Sequence, residues 1–329
     1  MGDAPRHSRR EFLLTVTGAT TTRASPEPYA APDPRYGALT YDRPVLTPAA
    51  GFFTVHLGTI PPVDCARWTL TLDGLVERPL TLDWRAIEAL PPVETTRTVA
   101  SIGNPVGGPL IGNARWRGVA LKPLLTQAGV RPEATHARLY GADGYSTSVN
   151  LARLTRDETL LAYHLNGAPL PPEQGYPLRA LIPGVYDHKM PKWITRIEFV
   201  ERAYPGYWER HGWSDTAAVK THAMFHSPLA HAEISGAVYL QGIAFAGDRM
   251  IHRVEISVNE GVWLEADLFR LESPLAWTQW AFRWQPNAPG LHTFRVRATD
   301  EQGFTQSAES GRPFPDGTDA IHRLALTVV

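Results

Sequence analysis

Hydrophobic and polar positions follow two different patterns along this chain. In the first part, short alternating runs predict half-buried strands, beginning with residues 68–73. Two further runs lie on either side of the turn residues Asp143-Gly144, and another pair is joined by Asn166-Gly167, a sequence typical of tight hairpins. Strands are therefore also expected over residues 137–140, 145–149, 160–165 and 168–170.

Short helices are expected between these strands. Asp83 can cap a helix that runs to Leu90 and stops before a Pro-Pro pair. A second helix fits residues 122–128, with proline in its first turn and glycine after its end. Residues 101–113 are rich in glycine and proline and predict a loop. Short strands mixed with short helices favour an α+β fold over a doubly wound sheet.

Beyond about residue 227 the alternation becomes strict. Val254, Ile256 and Val258 alternate with polar residues, and similar runs follow around Trp280 and Phe294. Turn sequences recur between the runs, and no long helical period is present in the sequence. This pattern predicts an all-β, immunoglobulin-like sandwich over residues 227–329, after an α+β part over residues 31–226.

Composition excludes several classes of protein. The formal net charge of −1 argues against a nucleic-acid partner, and no run approaches the roughly 20 apolar residues that a membrane span needs. The single cysteine, Cys65, excludes an internal disulfide, a four-cysteine zinc site and a c-type haem. We interpret Cys65 as a small buried residue rather than as a reactive thiol.

The N-terminal residues 1–30 predict a signal and a linker. Ser8-Arg9-Arg10-Glu11-Phe12 resembles a twin-arginine export signal, which carries folded proteins across a membrane. A periplasmic or other extracytoplasmic location is expected. A disordered basic N-terminus is the alternative, and it would leave the protein in the cytoplasm.

Several sequence blocks, in their order and spacing, resemble the sulfite-oxidase-like molybdopterin oxidoreductase family. They are Asn104-Pro105-Val106-Gly107-Gly108, Gly112-Asn113-Ala114-Arg115-Trp116, the run from Leu160 to Gly167, Gly175-Tyr176-Pro177-Leu178-Arg179, Lys189-Met190-Pro191-Lys192-Trp193 and Gly206-Tyr207-Trp208. The resemblance implies a molybdopterin-binding domain followed by a dimerisation domain, and hence a homodimer. It also implies a small-molecule substrate, oxygen-atom transfer and an external electron carrier.

The resemblance implies that a molybdenum–pyranopterin (molybdopterin) cofactor binds along these blocks. Arg179 and Lys192 match the cations that hold the pterin's phosphate, and a planar fork together with a point charge suits that anion. Asp143 matches a contact to the pterin ring, and Gln174 stands where a histidine is usual. Asn104 and Lys189 lie in matching blocks and are further candidates for cofactor binding.

The substrate side departs from the family pattern. Ser101 stands in the position of the cysteine that ligates the metal, which makes it the candidate metal ligand and, with Trp213, the candidate catalytic residue. Pro105 and Thr54 replace two expected arginines, so we expect a substrate other than sulfite. Asp187 replaces a glycine and places a negative charge beside the expected phosphate site.

Two hypotheses remain open from the sequence. The first is a molybdopterin oxidoreductase with serine ligation, which a larger molybdopterin family also uses, or with no protein ligand. The second is a catalytically degenerate member that acts as a cofactor-binding or interaction module. The sequence contains no Gly-x-Ser-x-Gly motif and gives little support for a hydrolase.

Overall fold

The computed structural model describes residues 45–271 and 273–329. The twin-arginine sequence and most of the proline-rich segment that follows it lie outside the described residues. Within the described part, no helix is both long and apolar enough to cross a membrane.

The N-terminal part is built from two sheets and a few short helices. Its strands are β1 (Thr69–Gly74), β2 (Leu80–Asp83), β3 (Pro92–Ala100), β4 (Ile111–Ala120), β5 (His136–Gly141), β6 (Ser146–Asn150), β7 (Leu160–Leu165), β8 (Ala168–Pro169), β9 (Arg179–Leu181) and β10 (Ile194–Val200). Its helices are α1 (Trp84–Glu88), α2 (Lys122–Ala128), α3 (Leu151–Leu154) and α4 (Tyr207–Arg210). Short 3₁₀ turns lie at Ala49–Gly51, Pro172–Gln174 and Asp187–Lys189.

The strand orders are β2-β1-β10-β5-β6 in one sheet and β3-β4-β7-β8 in the other, with β9 also paired to β7. Residues of both sheets, such as Leu72, Trp116 and Ile197, are fully buried in a common core. The mixed α+β character expected from the sequence is confirmed, because short helices lie between the strands of these two sheets.

Local sequence explains the helix boundaries. Asp83 caps α1 by accepting a hydrogen bond from the Ala86 amide at 2.8 Å, as expected. Gly129 ends α2 in a left-handed conformation with φ of 66°. The loop expected over residues 101–113 is shorter than predicted, because β4 already begins at Ile111, where it pairs with Ala100 of β3.

The C-terminal part consists of two facing sheets. Its strands are β11 (His222–Ser227), β12 (Glu233–Ile234), β13 (Val238–Phe245), β14 (Ile251–Val258), β15 (Trp263–Glu265), β16 (Asp267–Phe269), β17 (Thr278–Trp284), β18 (Gly290–Asp300) and β19 (His322–Val328). The sheet orders are β11-β13-β17-β16 and β12-β19-β18-β14-β15. Trp280 of one sheet and Phe294 of the other are fully buried in the core between them.

Among the described residues beyond 227 there is no helix, in agreement with the strict alternation of the sequence. The first strand of this part starts earlier than the predicted boundary at residue 227, because His222 already pairs with Phe245 of β13. The immunoglobulin-like assignment stays a prediction.

The two parts are packed against each other. The Thr98 amide of β3 donates to the Leu275 carbonyl at 2.8 Å, and the Trp277 amide donates to the Thr98 hydroxyl at 2.8 Å. A small apolar cluster that includes Ile102 and Trp277 fills the junction. The junction fixes the C-terminal part beside the loop that follows β3.

Candidate functional site

A cavity of about 550 Å³ opens beside the loop after β3, and we call it the central cavity. A volume of this size is typical of sites for small molecules and cofactors. Chain segments that are far apart in sequence line it. They include residues 52–57, 101–103, 143 and 145, 174 and 179, 187 and 188, 190, 192 and 193, 208 and 213, and 312–314.

Arg179, at the start of β9, forms a buried cationic floor of the central cavity. Its side chain donates to the Gln174 Oε1 at 3.0 Å, and its guanidinium lies 5.2 Å from the centre of the Trp116 ring. Burial lowers the pKa of Arg179 to about 10. Its Nε atom has no hydrogen-bond partner among the described residues, so the floor holds an unused donor.

Lys192 lies next to Arg179 on this floor. Its Nζ donates to the Glu173 carbonyl at 2.9 Å. Burial, and then repulsion from Arg179, lower the pKa of Lys192 to about 7. Gly175 permits this close pairing, because an added Cβ there would lie 3.0 Å from the Lys192 Cβ and 3.1 Å from the Arg179 Cβ.

Gln174, which stands where the family usually has a histidine, is buried and forms hydrogen bonds with two separate parts of the site. Its Nε2 donates to the Thr54 hydroxyl at 3.1 Å and to the Phe53 carbonyl at 3.1 Å, while its Oε1 accepts from Arg179. The Gln174 amide therefore connects the segment around Thr54 to Arg179 by hydrogen bonds.

Asp143 occupies the turn between β5 and β6 that the sequence predicted. Its Oδ1 accepts a hydrogen bond from the Tyr145 amide at 3.1 Å, as is usual for aspartate before a turn glycine. Burial raises the pKa of Asp143 in spite of that hydrogen bond and of the nearby Lys192. Asp143 therefore serves the turn and also presents a carboxyl group to the central cavity.

Ser101 and Asp187 meet in the same cavity. Ser101 is buried, and its hydroxyl donates to the Asp187 carboxylate, which also accepts from the Ile102 amide. Burial raises the pKa of Asp187 to about 6, although Arg179 and Lys192 partly oppose this. The serine and the aspartate that depart from the family pattern are thus hydrogen-bonded to each other.

Aromatic side chains form the outer wall, and we call Trp208, Trp213 and Phe314 the aromatic rim. The rings of Trp213 and Phe314 meet edge-to-face with centroids 5.2 Å apart. A Cβ added to Gly103 would lie 3.7 Å from the Trp213 Cη2 and 3.9 Å from the Ser101 Oγ. The rim therefore stands directly beside Ser101.

Two of the candidate cofactor-binding residues do not line the central cavity. The Asn104 Oδ1 accepts from the Leu110 amide at 2.9 Å and so shapes the loop after β3. Lys189 is fully buried and is paired with Glu209, with Asp215 at 2.9 Å and with the Ser148 carbonyl at 3.0 Å. Both side chains have their donors or acceptors occupied within the protein, which gives them structural roles.

The histidines form no metal centre among the described residues, where no three His, Cys, Asp or Glu side chains are placed to hold an ion. His188 is buried beside the central cavity, and its Nε2 lies 3.2 Å from the Ser214 carbonyl. Burial, and then repulsion from Lys189, lower the pKa of His188 to about 4.

The sequence reasoning did not anticipate the contribution of the C-terminal part. Arg312, Pro313 and Phe314 line the central cavity, although they lie about a hundred residues after Trp213 in the sequence. The sequence around these three residues gave no indication of a site.

Comparison with known proteins supports the resemblance found in the sequence. Residues 57–208 match the family described as "Oxidoreductase molybdopterin binding domain". The chain is 34% identical over 163 residues to an uncharacterized oxidoreductase, YuiH, of Bacillus subtilis, covering 49% of this chain and 80% of that protein. It is 28% identical over 312 residues to the mitochondrial sulfite oxidase of Drosophila melanogaster, covering 79% of this chain and 54% of that protein.

Among solved structures, the sulfane dehydrogenase SoxCD from Paracoccus pantotrophus shares the fold. The TM-score is 0.75 at 23% sequence identity, over 86% of this chain and 81% of the SoxCD chain. The chain spans only about half the length of the Drosophila sulfite oxidase, so likeness to that protein concerns the matched region.

Proposed function

Because this chain belongs to the sulfite-oxidase-like molybdopterin oxidoreductase family, we propose that it binds a molybdenum–pyranopterin cofactor in the central cavity and transfers an oxygen atom to or from a small substrate other than sulfite. The main support for the proposal is that four residues line one cavity of about 550 Å³, namely Arg179, Lys192, Asp143 and Ser101. These residues are distant in sequence, and the resemblance assigned each of them to the same ligand.

The residues of the cavity fit such a cofactor. The Arg179 Nε is a buried donor without a partner among the described residues, and Lys192 is held beside it by the close packing around Gly175. A phosphate that accepted from both would supply the missing hydrogen bond and restore the charge that burial disfavours. Asp143 and Gln174 would then face the polar edge of the pterin.

When bound, the cofactor supplies two-electron oxygen-atom transfer, and the chain's own residues bind it, orient it and shield it from water. Arg179 and Lys192 would hold the phosphate, and the aromatic rim would shield the part of the cofactor nearest Ser101 from water. Asp187 accepts the hydrogen bond of the Ser101 hydroxyl, so its carboxylate can take the Oγ proton if that oxygen is to bind a metal. This hydrogen bond supports serine ligation, since a hydroxyl ionises only with strong help.

The substrate side supports a substrate other than sulfite. Pro105, which replaces one expected arginine, is absent from the lining of the central cavity. Thr54, which replaces the other, uses its hydroxyl to hold Gln174. A small dianion would therefore lack the cations that the resemblance assigns to sulfite oxidation.

Metal and pterin content tests the proposal. Native protein purified from cells that make the cofactor should contain molybdenum and pterin, and Ser101→Cys should retain more molybdenum, because a thiolate is a softer and more readily ionised ligand. Ser307→Cys, at an exposed position of the C-terminal part, is the matched control and should change nothing. Native and Ser101→Cys proteins that both lack molybdenum and pterin would contradict the proposal.

Partners and location are part of the same proposal. With a single cysteine, the chain cannot attach a c-type haem through Cys-x-x-Cys-His, so an external carrier would exchange the electrons. Homodimer formation and export through the twin-arginine route follow from the resemblance and from Arg9-Arg10.

A further inference from the structure

The aromatic rim is assembled from both parts of the chain. Trp208 and Trp213 belong to the N-terminal part, whereas Phe314 comes from the loop between β18 and β19. Phe314 is 55% exposed although its ring packs edge-to-face on Trp213. A large apolar side chain exposed at the mouth of a cavity indicates a surface that a ligand can cover.

The position of Phe314 is fixed by contacts on both sides. The Ser214 amide donates to the Pro315 carbonyl at 2.9 Å, which joins the loop to the N-terminal part. Lys220 donates to the Gly317 carbonyl at 3.3 Å. Gly212 lies under the ring, where an added Cβ would be 3.1 Å from the Phe314 Cζ. The loop is therefore held in place next to Trp213.

The rim also lies beside the expected reaction centre. The Ser101 Oγ and the Trp213 Cη2 both lie within 4 Å of one point next to Gly103, so one small substrate can reach both side chains. The polar groups Arg179, Gln174 and Lys192 are buried or half-buried on the cavity floor. The cavity thus has a polar floor and a mouth where aromatic rings stand beside the exposed Arg312.

We propose that the aromatic rim selects an organic substrate that carries an aryl or bulky alkyl group directly on its reacting atom, and that Phe314 is a specificity-determining residue. This inference rests on the proposed oxygen-transfer function and names the substrate class. The aryl group would pack against the exposed surface of the Trp213–Phe314 pair, while its reacting atom points toward Ser101. Edge-to-face and stacked contacts with two rings favour an aryl group over a methyl group.

Binding of two matched sulfoxides to the native protein tests the inference. Methyl phenyl sulfoxide and dimethyl sulfoxide share the polar S=O group and differ only by a phenyl in place of a methyl. Isothermal titration calorimetry should show that the phenyl compound binds more than about tenfold more tightly, because several more carbons leave water. Phe314→Ala should reduce that preference by about threefold to tenfold, because one of the two aromatic contacts to the phenyl group is lost.

Phe304→Ala is the control, because Phe304 is 47% exposed in the same C-terminal part and does not line the cavity. It should keep the full preference, and Phe314→Leu should keep an intermediate one. Because Phe314 is exposed, its replacement should not impair folding, and a thermal melt of each variant checks this.

The outcomes separate this inference from the proposed function. Equal affinity of the native protein for the two sulfoxides, or an unchanged preference in Phe314→Ala, overturns the inference about the rim even when molybdenum and pterin are present. Absence of molybdenum and pterin from native and Ser101→Cys proteins overturns the proposed function instead, whatever the sulfoxide preference.

Discussion

Arg179 and Lys189 are both buried cations, yet the structure predicts opposite results when each is replaced by methionine. Lys189 is 2% exposed and is paired with Glu209 and Asp215. Arg179 is 4% exposed, contacts only the Gln174 side chain and carbonyl by hydrogen bonds, and keeps an unpartnered Nε among the described residues. The charge of Lys189 is compensated within the protein. Arg179 keeps a free hydrogen-bond donor among the described residues, which the proposed cofactor could use.

The expected change in unfolding free energy is small for Arg179→Met. Lowering the Arg179 pKa from 12.5 to about 10 corresponds to about 3 kcal/mol that disfavours the charged form. Removing the charge relieves that cost, but it also removes hydrogen bonds of a charged group, which contribute about 1.5–3 kcal/mol. The two effects nearly cancel, so the cofactor-free protein should change by no more than about 1 kcal/mol.

Lys189→Met should instead destabilise the protein by about 3–5 kcal/mol, because it leaves the Glu209 carboxylate buried without a cation. The Glu209 side chain is only 3% exposed, whereas Asp215 is 56% exposed and can return to water. The double variant Lys189→Met/Glu209→Gln should recover much of the loss, since it removes the uncompensated charge as well.

Urea unfolding of the cofactor-free proteins, followed by tryptophan fluorescence, measures these differences. Pterin content of the proteins purified from cofactor-producing cells supplies the second measurement. Arg179→Met should be stable but empty, whereas Lys189→Met should be unstable. The reasoning is refuted if Arg179→Met loses as much stability as Lys189→Met, or if Arg179→Met retains pterin as the native protein does.

The remaining predictions concern anion binding, assembly and export. Sulfate affinity of the cofactor-free protein should fall as the pH rises from about 6 to about 7, because Asp187 gains a negative charge and Lys192 loses its positive charge. Calorimetry at several pH values measures this affinity, and a constant affinity would contradict the prediction. Light scattering at micromolar concentration should give twice the mass of one chain, and the mass of a single chain would exclude the proposed dimer. Replacing Arg9 and Arg10 by lysine should keep the protein in the cytoplasm, as cell fractionation would show; unchanged export would remove the twin-arginine interpretation.

Local patterns in the sequence determined much of the fold. The predicted helix over Lys122–Ala128 is α2, and the Asn166-Gly167 turn joins β7 to β8 as expected. Such elements are readable because a cap, a turn glycine and alternating burial depend on neighbouring residues. The strict alternation after residue 227 likewise predicted a part without helices. Where the first strand of this part begins depends on the pairing of His222 with Phe245, which lies in a strand that follows later in the chain.

The candidate site was predictable only as a set of residue types. The resemblance named Arg179, Lys192, Asp143 and Ser101 one by one, and the tertiary structure brings them into one cavity. It also separates Lys192, which lines the cavity, from Lys189, whose charge is held by carboxylates. The sequence cannot distinguish two lysines three positions apart, because burial and ion pairing depend on residues that are remote in the chain.

The tertiary structure alone decided the shape of the substrate side. The contact of Trp213 with Phe314 and the hydrogen bond of Ser101 to Asp187 each join positions that are far apart in sequence. The sequence determined which groups are present, since their chemistry belongs to single residues. Which of them share a cavity is set by packing of the two parts against each other, and packing is a property of the whole folded chain.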